Sequence, residues 1–251
     1  MSIAGIRSNR GDGYQTLVAI DWALTVLFDP DYLWIEVDSV TVPVDDIVIG
    51  KSDGSLICCQ CKKNQVDFKF WSIADLSDEL VKAANLLGGN KKAMVRFYSR
   101  NDFGSVAKLR EYSITQPDDA NYRESLTQEH QKTDSELAPL LATYAPHLST
   151  YEFLCRMRFE TTQDFDRMKM FQLERLRDKV CNAQIAYDKL WTSLDLLGGR
   201  LGDEISATAQ HRLTKKELQD LLSQAGVMIA PPIDITEARD SFAGTSAIGR
   251  A

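Results

Sequence analysis

The chain has 251 residues, of which 44% are hydrophobic and 26% are charged, and this apolar content is sufficient for one large compact domain or for a core domain with a smaller appendage. The same numbers exclude intrinsic disorder and fibrous structure. The 29 Lys and Arg residues are outnumbered by 36 Asp and Glu residues, and the net charge of -7 argues against a protein that coats nucleic acid through bulk electrostatics.

Two further features predict a cytoplasmic protein without a membrane partner. No apolar run reaches the roughly 20 residues that span a bilayer, and the N-terminal segment lacks the apolar region of a signal peptide.

The five cysteines form an odd set, and three of them, Cys58, Cys59 and Cys61, crowd into one strand, where neighbouring side chains cannot easily form a disulfide. Cys58 and Cys61 have zinc-ligand spacing, but in a strand they face opposite sides, so we do not expect a zinc site.

The first part of the chain follows the order helix, three strands, helix, strand. Apolar residues at helical spacing predict one helix over 12–28 and a second over 72–88, the latter capped by Ser72 with Asp75. Short β-rich runs between turns predict four strands, over 33–37, 44–49, 56–62 and 93–98. This order predicts an α/β core over residues 1–115, with a mixed sheet flanked by helices, and we expect this core to hold the chemistry.

The second part of the chain is predicted to be mainly helical. Residues 116–150 favour helical pieces with loops at Pro117 and Pro139, and alternation over 151–159 predicts a further strand. An apolar stripe over 183–197 predicts a helix, and a capping box predicts another after Thr214. We therefore expect a mainly helical extension over 116–228, in the same domain and with one further strand, and a linker over 229–251 toward a downstream region of a longer chain.

Polar side chains of three strands are expected to converge on one part of the sheet. Asp45 and Asp46 head the second strand, and Gln60 and Lys62 share one face of the third because strand side chains alternate. Glu36 lies between apolar residues of the first strand and is expected to share a face with other polar groups. Phosphodiester hydrolysis uses such groups, because oxygen ligands hold Mg²⁺ and a cation neutralises charge on the phosphate.

An acid, then 13 residues, then Gln-x-Lys is the spacing of Asp46, Gln60 and Lys62. It resembles the motif of the PD-(D/E)xK, or restriction-endonuclease-like, superfamily, with glutamine in the D/E position. A wider set of segments is similar to the double-stranded DNA endonuclease effectors of bacterial antiphage defence, such as CBASS effectors and the N-terminal nucleases of antiviral STAND NTPases. These segments are Gly11-Asp12-Gly13-Tyr14-Gln15, the Glu36 strand, Val44-Asp45-Asp46-Ile47, Cys59-Gln60-Cys61-Lys62-Lys63-Asn64-Gln65 and the stretch from Trp71 to Ala83. The similarity is strongest over residues 11–112.

The resemblance implies a restriction-endonuclease-like fold and a role for each candidate residue. Asp46 would bind the metal with help from Glu36 and the Gln60 carbonyl, Lys62 would act in catalysis, and Gln15 would support the site. The metal is expected to be Mg²⁺, with Mn²⁺ as an alternative. Either Asp45 or Asp46 fits the ligand position, and Asp46 is favoured because it directly precedes the apolar strand residues.

The implied activity is metal-dependent cleavage of double-stranded DNA by an antiphage effector. Basic residues around the sheet are candidates for DNA contact, although a solvated basic face is an equal alternative. They are Lys63, Lys91, Lys92, Arg96 and Arg100. We also predict a symmetric homo-oligomer in which the helical region after Tyr151 supplies much of the contact, through stripes such as the one over 183–197; the alternative is that this stripe packs inside its own subunit. A downstream sensor or NTPase domain is expected on the same chain. The alternatives are a catalytically silent oligomerisation module and a ribonuclease on the same fold.

Overall fold

The computed structural model of the chain describes residues 13–62, 69–199 and 212–230. The strands in chain order are β1 Tyr32–Val37, β2 Ile47–Lys51, β3 Leu56–Cys61, β4 Ala93–Ser99, β5 Met157–Thr161 and β6 Arg212–Thr214. The helices are α1 Tyr14–Phe28, α2 Ser77–Gly89, α3 Gly104–Ser113, α4 Asp119–Glu124, α5 Gln128–Tyr144, α6 Thr150–Cys155, α7 Phe165–Arg177, α8 Ala183–Gly199 and α9 Lys215–Gln224.

The six strands form one mixed sheet in the order β5-β4-β3-β2-β1-β6. Strands β3, β4 and β5 run parallel to one another, whereas β2 is antiparallel to β1 and β3, and β6 is antiparallel to β1. The C-terminal ends of β1, β3, β4 and β5 therefore meet the start of β2 at one end of the sheet. We call this the Asp46 end, because Asp46 directly precedes β2.

The sheet separates two apolar cores, as the mixed α/β prediction requires. Helices α1, α7, α8 and α9 cover one face, and their core includes the strand residues Ile49 and Cys59. Helices α2, α3, α5 and α6 cover the other, with Val48 and Cys58 among its strand residues. The period-2 alternation of strand side chains assigns each residue to one core or the other. Among the described residues, no helix is long and apolar enough to cross a bilayer.

Three predicted elements differ from the structure for identifiable reasons. Ser72 and Asp75 exchange the predicted capping hydrogen bonds, but the intervening residues form a turn and α2 begins only at Ser77. The predicted loop at Pro139 is wrong, because Pro139 lies inside α5. The predicted strand over 151–159 is wrong in its first half, because Ser149 and Glu152 form a capping box that starts α6 and leaves β5 to begin at Met157.

The apolar stripe of α8 packs inside its own subunit. Ala186, Tyr187, Leu190 and Leu194 are buried in the core that α8 shares with α1 and α7. The stripe predicted to join copies of the chain is therefore not available for that contact. The capping box at Thr214 is present and starts α9 as predicted.

The start of the predicted linker contacts the folded part of the chain. Ile229 pairs with Val180, and the Ala230 backbone N–H donates to the Lys179 carbonyl at 2.7 Å. The rest of the predicted linker, residues 231–251, lies outside the described residues. All five cysteines have free thiols, and Cys58 and Cys61 face opposite sides of β3 as predicted.

Candidate active site at the Asp46 end of the sheet

The Asp46 carboxylate lies between the start of β2 and the end of β3. Its Oδ2 accepts hydrogen bonds from Gln60 Nε2 and from the Cys61 backbone N–H, both at 2.6 Å. Burial is the main cause that raises the pKa of Asp46 to about 7; the Cys61 hydrogen bond opposes the shift, and the Asp45 and Asp38 carboxylates add to it. Among the described residues no Lys or Arg forms an ion pair with Asp46.

Gln60 presents an oxygen to the same place. The side chain is only 8% exposed, and its Oε1 has no hydrogen-bond partner among the described residues. Its Nε2 must face the Asp46 carboxylate, because a carboxylate only accepts hydrogen bonds. The amide oxygen is thus left as a buried acceptor beside an ionisable carboxylate, and a buried acceptor without a donor is costly unless a cation or a water fills its position.

Gln15 connects α1 to this arrangement. Its Nε2 donates to Asp38 Oδ1 at 2.6 Å and to the Asp46 backbone carbonyl at 3.0 Å. Asp38 follows β1 and has a positive φ of 51°, which is rare for a residue with a side chain. Gln15 therefore ties the end of β1 and the start of β2 to one helix.

Lys62 follows β3 and is on the same face as Gln60, as the alternation predicts. Its Nζ forms an ion pair with Glu79 of α2 and lies 5.0 Å from the centre of the Trp71 ring. Asp45 has a different partner on the same helix, because Lys82 Nζ lies 3.4 Å from its Oδ1. Asp46 and not Asp45 is thus the acid that contacts Gln60.

Glu79, Lys82 and Asp38 also lie at this end of the sheet and were not predicted from the sequence. Glu79 and Lys82 flank the buried stripe of α2, which includes Leu80 and Ala83. Their position at the border of an amphipathic helix is the sequence signal that could have identified them. Nothing in the spacing of Asp38 distinguishes it from an ordinary residue at a strand end. Glu79 and Lys82 contact Lys62 and Asp45 because α2 packs on this face of the sheet, whereas Asp38 lies near Asp46 because the end of β1 is paired with the start of β2.

Glu36 belongs to a separate network. Glu36 is only 2% exposed, and Arg212 Nη2 of β6 lies 3.2 Å from its Oε1. Ser39 Oγ and Thr41 Oγ1 donate to Oε2 at 2.9 and 3.3 Å. The Arg212 guanidinium also stacks 3.6 Å from the centre of the Trp34 ring. The structure therefore gives Glu36 a cation and two hydroxyls as partners, and no contact joins it to Asp46.

The predicted DNA-contacting residues do not form one surface. Lys91 and Lys92 precede β4, and because β3 and β4 are parallel they lie at the opposite end of the sheet, about 13 Å from Gln60 along β3. Arg96 packs over the Trp22 ring at 4.9 Å and pairs with Glu160 at 3.9 Å. Arg100 is exposed at the Asp46 end. Of the four that the structure describes, only Arg100 is therefore exposed at the Asp46 end.

Lys63, the remaining predicted DNA contact, lies outside the described residues, as do Gly11 and Asp12 of the motif that opens α1. Lys62 and Gly13 are the nearest described neighbours in the chain. The nucleic-acid role of Lys63 stays a prediction.

The donor set at Asp46 fits a hard divalent cation with few protein ligands. Within residues 13–62, 69–199 and 212–230, no three His, Cys, Asp or Glu side chains come together as a metal-binding group. Mg²⁺ usually keeps several waters and binds through one or two carboxylates together with substrate phosphates. The Asp46 carboxylate and the unpartnered Gln60 Oε1 are two suitable oxygens, and water and phosphate would complete the shell.

A solved structure shares this fold at low sequence identity. An Acinetobacter baumannii structure described as a Cap4 SAVED/CARF-domain containing receptor with the cyclic trinucleotide 2'3'3'-cAAA matches 86% of this chain with a TM-score of 0.54 and 12% identity. The receptor with 3'3'3'-cAAA matches with a TM-score of 0.48 and 14% identity. This chain spans 45% of the length of each receptor chain. No family model matches the chain, and a search of curated proteins gives no significant match.

Proposed function

We propose that the chain is a metal-dependent endonuclease with a restriction-endonuclease-like core, which cleaves double-stranded DNA as the effector part of an antiphage defence protein. One observation carries this proposal: the Asp46 carboxylate and the unpartnered, buried Gln60 Oε1 lie together where β2 begins and β3 ends. Lys62 follows two residues later on the same face. An acid, an oxygen ligand and a cation are the groups that phosphodiester hydrolysis requires.

The fold assignment is part of the proposal. It is supported by the order helix, three antiparallel strands, helix, parallel strand, and by the position of the candidate residues at one end of the sheet. Side chains at the ends of neighbouring strands are held by the sheet itself, so the site rests on a rigid element. Gln15 adds a hydrogen bond from α1 to the backbone that carries Asp46.

Each residue has a part in the proposed reaction. Asp46 and Gln60 would hold Mg²⁺, and the chemistry that this ion would supply is activation of a water molecule and neutralisation of phosphate charge. Lys62 donates to a phosphate oxygen and stabilises the charge that grows on it in the transition state. Asp38 and Asp45 add negative charge around Asp46, and this charge favours the binding of a divalent cation.

The comparison with the receptor favours a second candidate, the binding of a cyclic trinucleotide. The structure that shares this fold is described as a receptor with such a ligand, although the chain spans less than half of it. The charge at the Asp46 end is against this candidate, because Asp38, Asp45 and Asp46 repel phosphates unless a cation is present. We therefore place the nuclease first. In this proposal a sensor activity belongs to a further domain of a longer protein.

Cleavage of supercoiled plasmid DNA in Mg²⁺ tests the proposal. Wild type is expected to cut, EDTA to stop it, and Asp46→Asn to lower the rate by at least about 100-fold. Asp45→Asn removes the same charge one residue away and is expected to lose much less, because Asp45 contacts Lys82 and not Gln60. Absence of cutting by well-folded wild type, or equal rates for wild type and Asp46→Asn, would refute the proposal.

Two additional substrates separate the alternatives. Single-stranded and double-stranded RNA of the same length, offered in parallel with DNA, identify a ribonuclease if RNA alone is cut. Titration with a cyclic trinucleotide, followed by calorimetry, identifies the sensor candidate. Saturable binding by wild type and by Asp46→Asn alike, with no cleavage of any substrate, would favour a nucleotide-binding module over a nuclease.

A further inference from the structure

Lys62 and Glu79 form an ion pair between the end of β3 and the first turn of α2. We propose that Glu79 is a positioning residue, which holds the Lys62 ammonium in one place on the face of β3 that carries Gln60. This inference rests on the proposed nuclease function and deepens it. Glu79 does not touch the reacting atoms; it acts through Lys62.

The pair is enclosed to a degree that other lysine pairs are not. The side chains of Lys62 and Glu79 are 15% and 19% exposed. Among the lysine ion pairs in the described parts of the chain, Lys82 with Asp45, Lys108 with Glu129 and Lys216 with Asp220 all have both partners at least 40% exposed. Exposed pairs of that kind contribute little, whereas an enclosed pair is less screened and restrains a long, flexible side chain.

The Trp71 ring beside Lys62 is itself held in place. Lys62 Nζ lies over the Trp71 ring, and Trp71 is 4% exposed, with its Nε1 donating to Ser99 Oγ at 2.7 Å and its backbone N–H donating to the Asp102 carbonyl at 2.7 Å. The ring therefore cannot shift to follow the ammonium. A cation held over an aromatic face and against a carboxylate has one preferred position.

Helix α2 is equally constrained at its far end. Arg156, which follows α6, donates to the Leu87 carbonyl at 2.8 Å and to the Ala93 carbonyl at 2.9 Å, and thereby joins the end of α2 to the start of β4. Leu76 and Leu80, on either side of the first turn, are fully buried. The position of Glu79 relative to β3 is thus set by packing along the whole helix.

Pairing with Glu79 is compatible with catalysis by Lys62. An ammonium has three N–H donors, so Lys62 can keep its bond to Glu79 and donate another to a phosphate oxygen. A positioned donor contributes more than a mobile one, because the cost of ordering it is met before the substrate arrives. Glu79 therefore orients Lys62 without consuming its charge-stabilising capacity.

Glu79→Gln tests this inference, with Asp78→Asn as the matched control. Both variants remove one negative charge from the first turn of α2, but Asp78 is exposed and no ion pair joins it to another described residue. The first readout is acetylation of Lys62 by a small amine-reactive ester, measured by mass spectrometry. Loss of the pair is expected to raise the labelling rate of Lys62 about fivefold in Glu79→Gln and to leave it unchanged in Asp78→Asn.

The second readout is steady-state cleavage of plasmid DNA in Mg²⁺. Glu79→Gln is expected to lower kcat by about 10- to 100-fold with KM for DNA nearly unchanged, and Glu79→Asp, which keeps the charge, to restore part of the loss. Unchanged labelling of Lys62, or faster labelling with unchanged kcat, would overturn the inference. An inactive wild type in which Glu79→Gln still exposes Lys62 would instead refute the proposed function and leave Glu79 a purely structural partner.

Discussion

Glu36 and Asp46 are two acids on neighbouring strands of one sheet, and their surroundings differ completely. Glu36 is matched by the Arg212 guanidinium and by two hydroxyl donors, so every part of its carboxylate is engaged. Asp46 receives two neutral hydrogen bonds, has Asp38 and Asp45 as its charged neighbours, and lies beside an amide oxygen without a partner.

The contrast separates an acid that is neutralised within the fold from an acid that, on the proposed function, binds a metal ion. Arg212 belongs to β6, so its pair with Glu36 fixes that edge strand onto β1. Asp46 gains nothing comparable from folding, and the raised pKa of its carboxyl records that cost. A divalent cation at Asp46 would supply what Arg212 supplies at Glu36.

Loss of activity is the largest effect we expect, and it should follow removal of Lys62. Lys62→Ala is expected to lower plasmid cleavage in Mg²⁺ by at least about 1,000-fold, because the side chain stabilises transition-state charge. Circular dichroism should show an intact fold. Lys91→Ala removes the same charge at the far end of the sheet, serves as the control and should cut at the wild-type rate. Loss of cutting in Lys91→Ala but not in Lys62→Ala would show that the active site lies elsewhere.

Stability should fall when Glu36 loses its carboxylate. Glu36→Ala leaves the Arg212 guanidinium partly buried without its acid, and we expect it to lower the free energy of unfolding by about 3 kcal/mol. Urea unfolding measures this. The double variant Glu36→Ala with Arg212→Met should recover part of the loss. Equal stability of Glu36→Ala and wild type would show that the network does not hold β6.

Replacement of Asp46 should have the opposite sign. Its pKa in the folded chain, about 7, lies above its ordinary value of 3.8, so folding penalises the ionised form: the penalty is absent below pH 3.8 and complete above pH 7. Without added metal, Asp46→Asn should therefore be more stable than wild type by about 1–2 kcal/mol at pH 8, a discounted figure because solvent screens this half-buried group.

Thermal or urea unfolding of wild type and Asp46→Asn from pH 4 to pH 8 checks this prediction. The advantage of the variant should vanish near pH 4, widen as pH rises, and stay constant above pH 7. A variant less stable than wild type at pH 8 would mean that the Asp46 carboxylate contributes to the fold, as Glu36 does.

The smallest effect concerns DNA affinity at the two ends of the sheet. Arg100→Ala should weaken binding of a DNA duplex about threefold at low salt, because Arg100 is exposed at the Asp46 end. Lys92→Ala should leave affinity unchanged, since Lys92 Nζ donates to the Asp53 carbonyl at the opposite end. Fluorescence anisotropy distinguishes the two, and an equal loss in both variants would contradict the proposed DNA path.

Local patterns were sufficient to predict much of the sheet. The common face of Gln60 and Lys62 follows from strand alternation alone. The role of Gln15 came from the family resemblance and stays a prediction, although Gln15 does contact the Asp46 backbone. Partners that are distant in sequence were not predictable. Arg212 is 176 residues from Glu36, and only the pairing of β6 with β1 brings the two together.

Other differences arose where two local patterns competed or where packing decided which element covers an apolar face. Residues from Tyr151 onward alternate like a strand, yet the cap at Ser149 starts a helix there and shifts the strand to Met157. Likewise, the stripe of α8 predicted to join copies of the chain is covered by α1 of the same chain. An apolar stripe identifies a buried face but not the element that covers it.

Binding of Mn²⁺, measured by electron paramagnetic resonance, tests the distinction between the two acids most directly. Wild type should bind the ion at a site that Glu36→Gln retains, because Glu36 is already neutralised by Arg212. Asp46→Asn should lose that site. Retention of the ion by Asp46→Asn, together with its loss from Glu36→Gln, would contradict the assignment and make Glu36 the metal ligand.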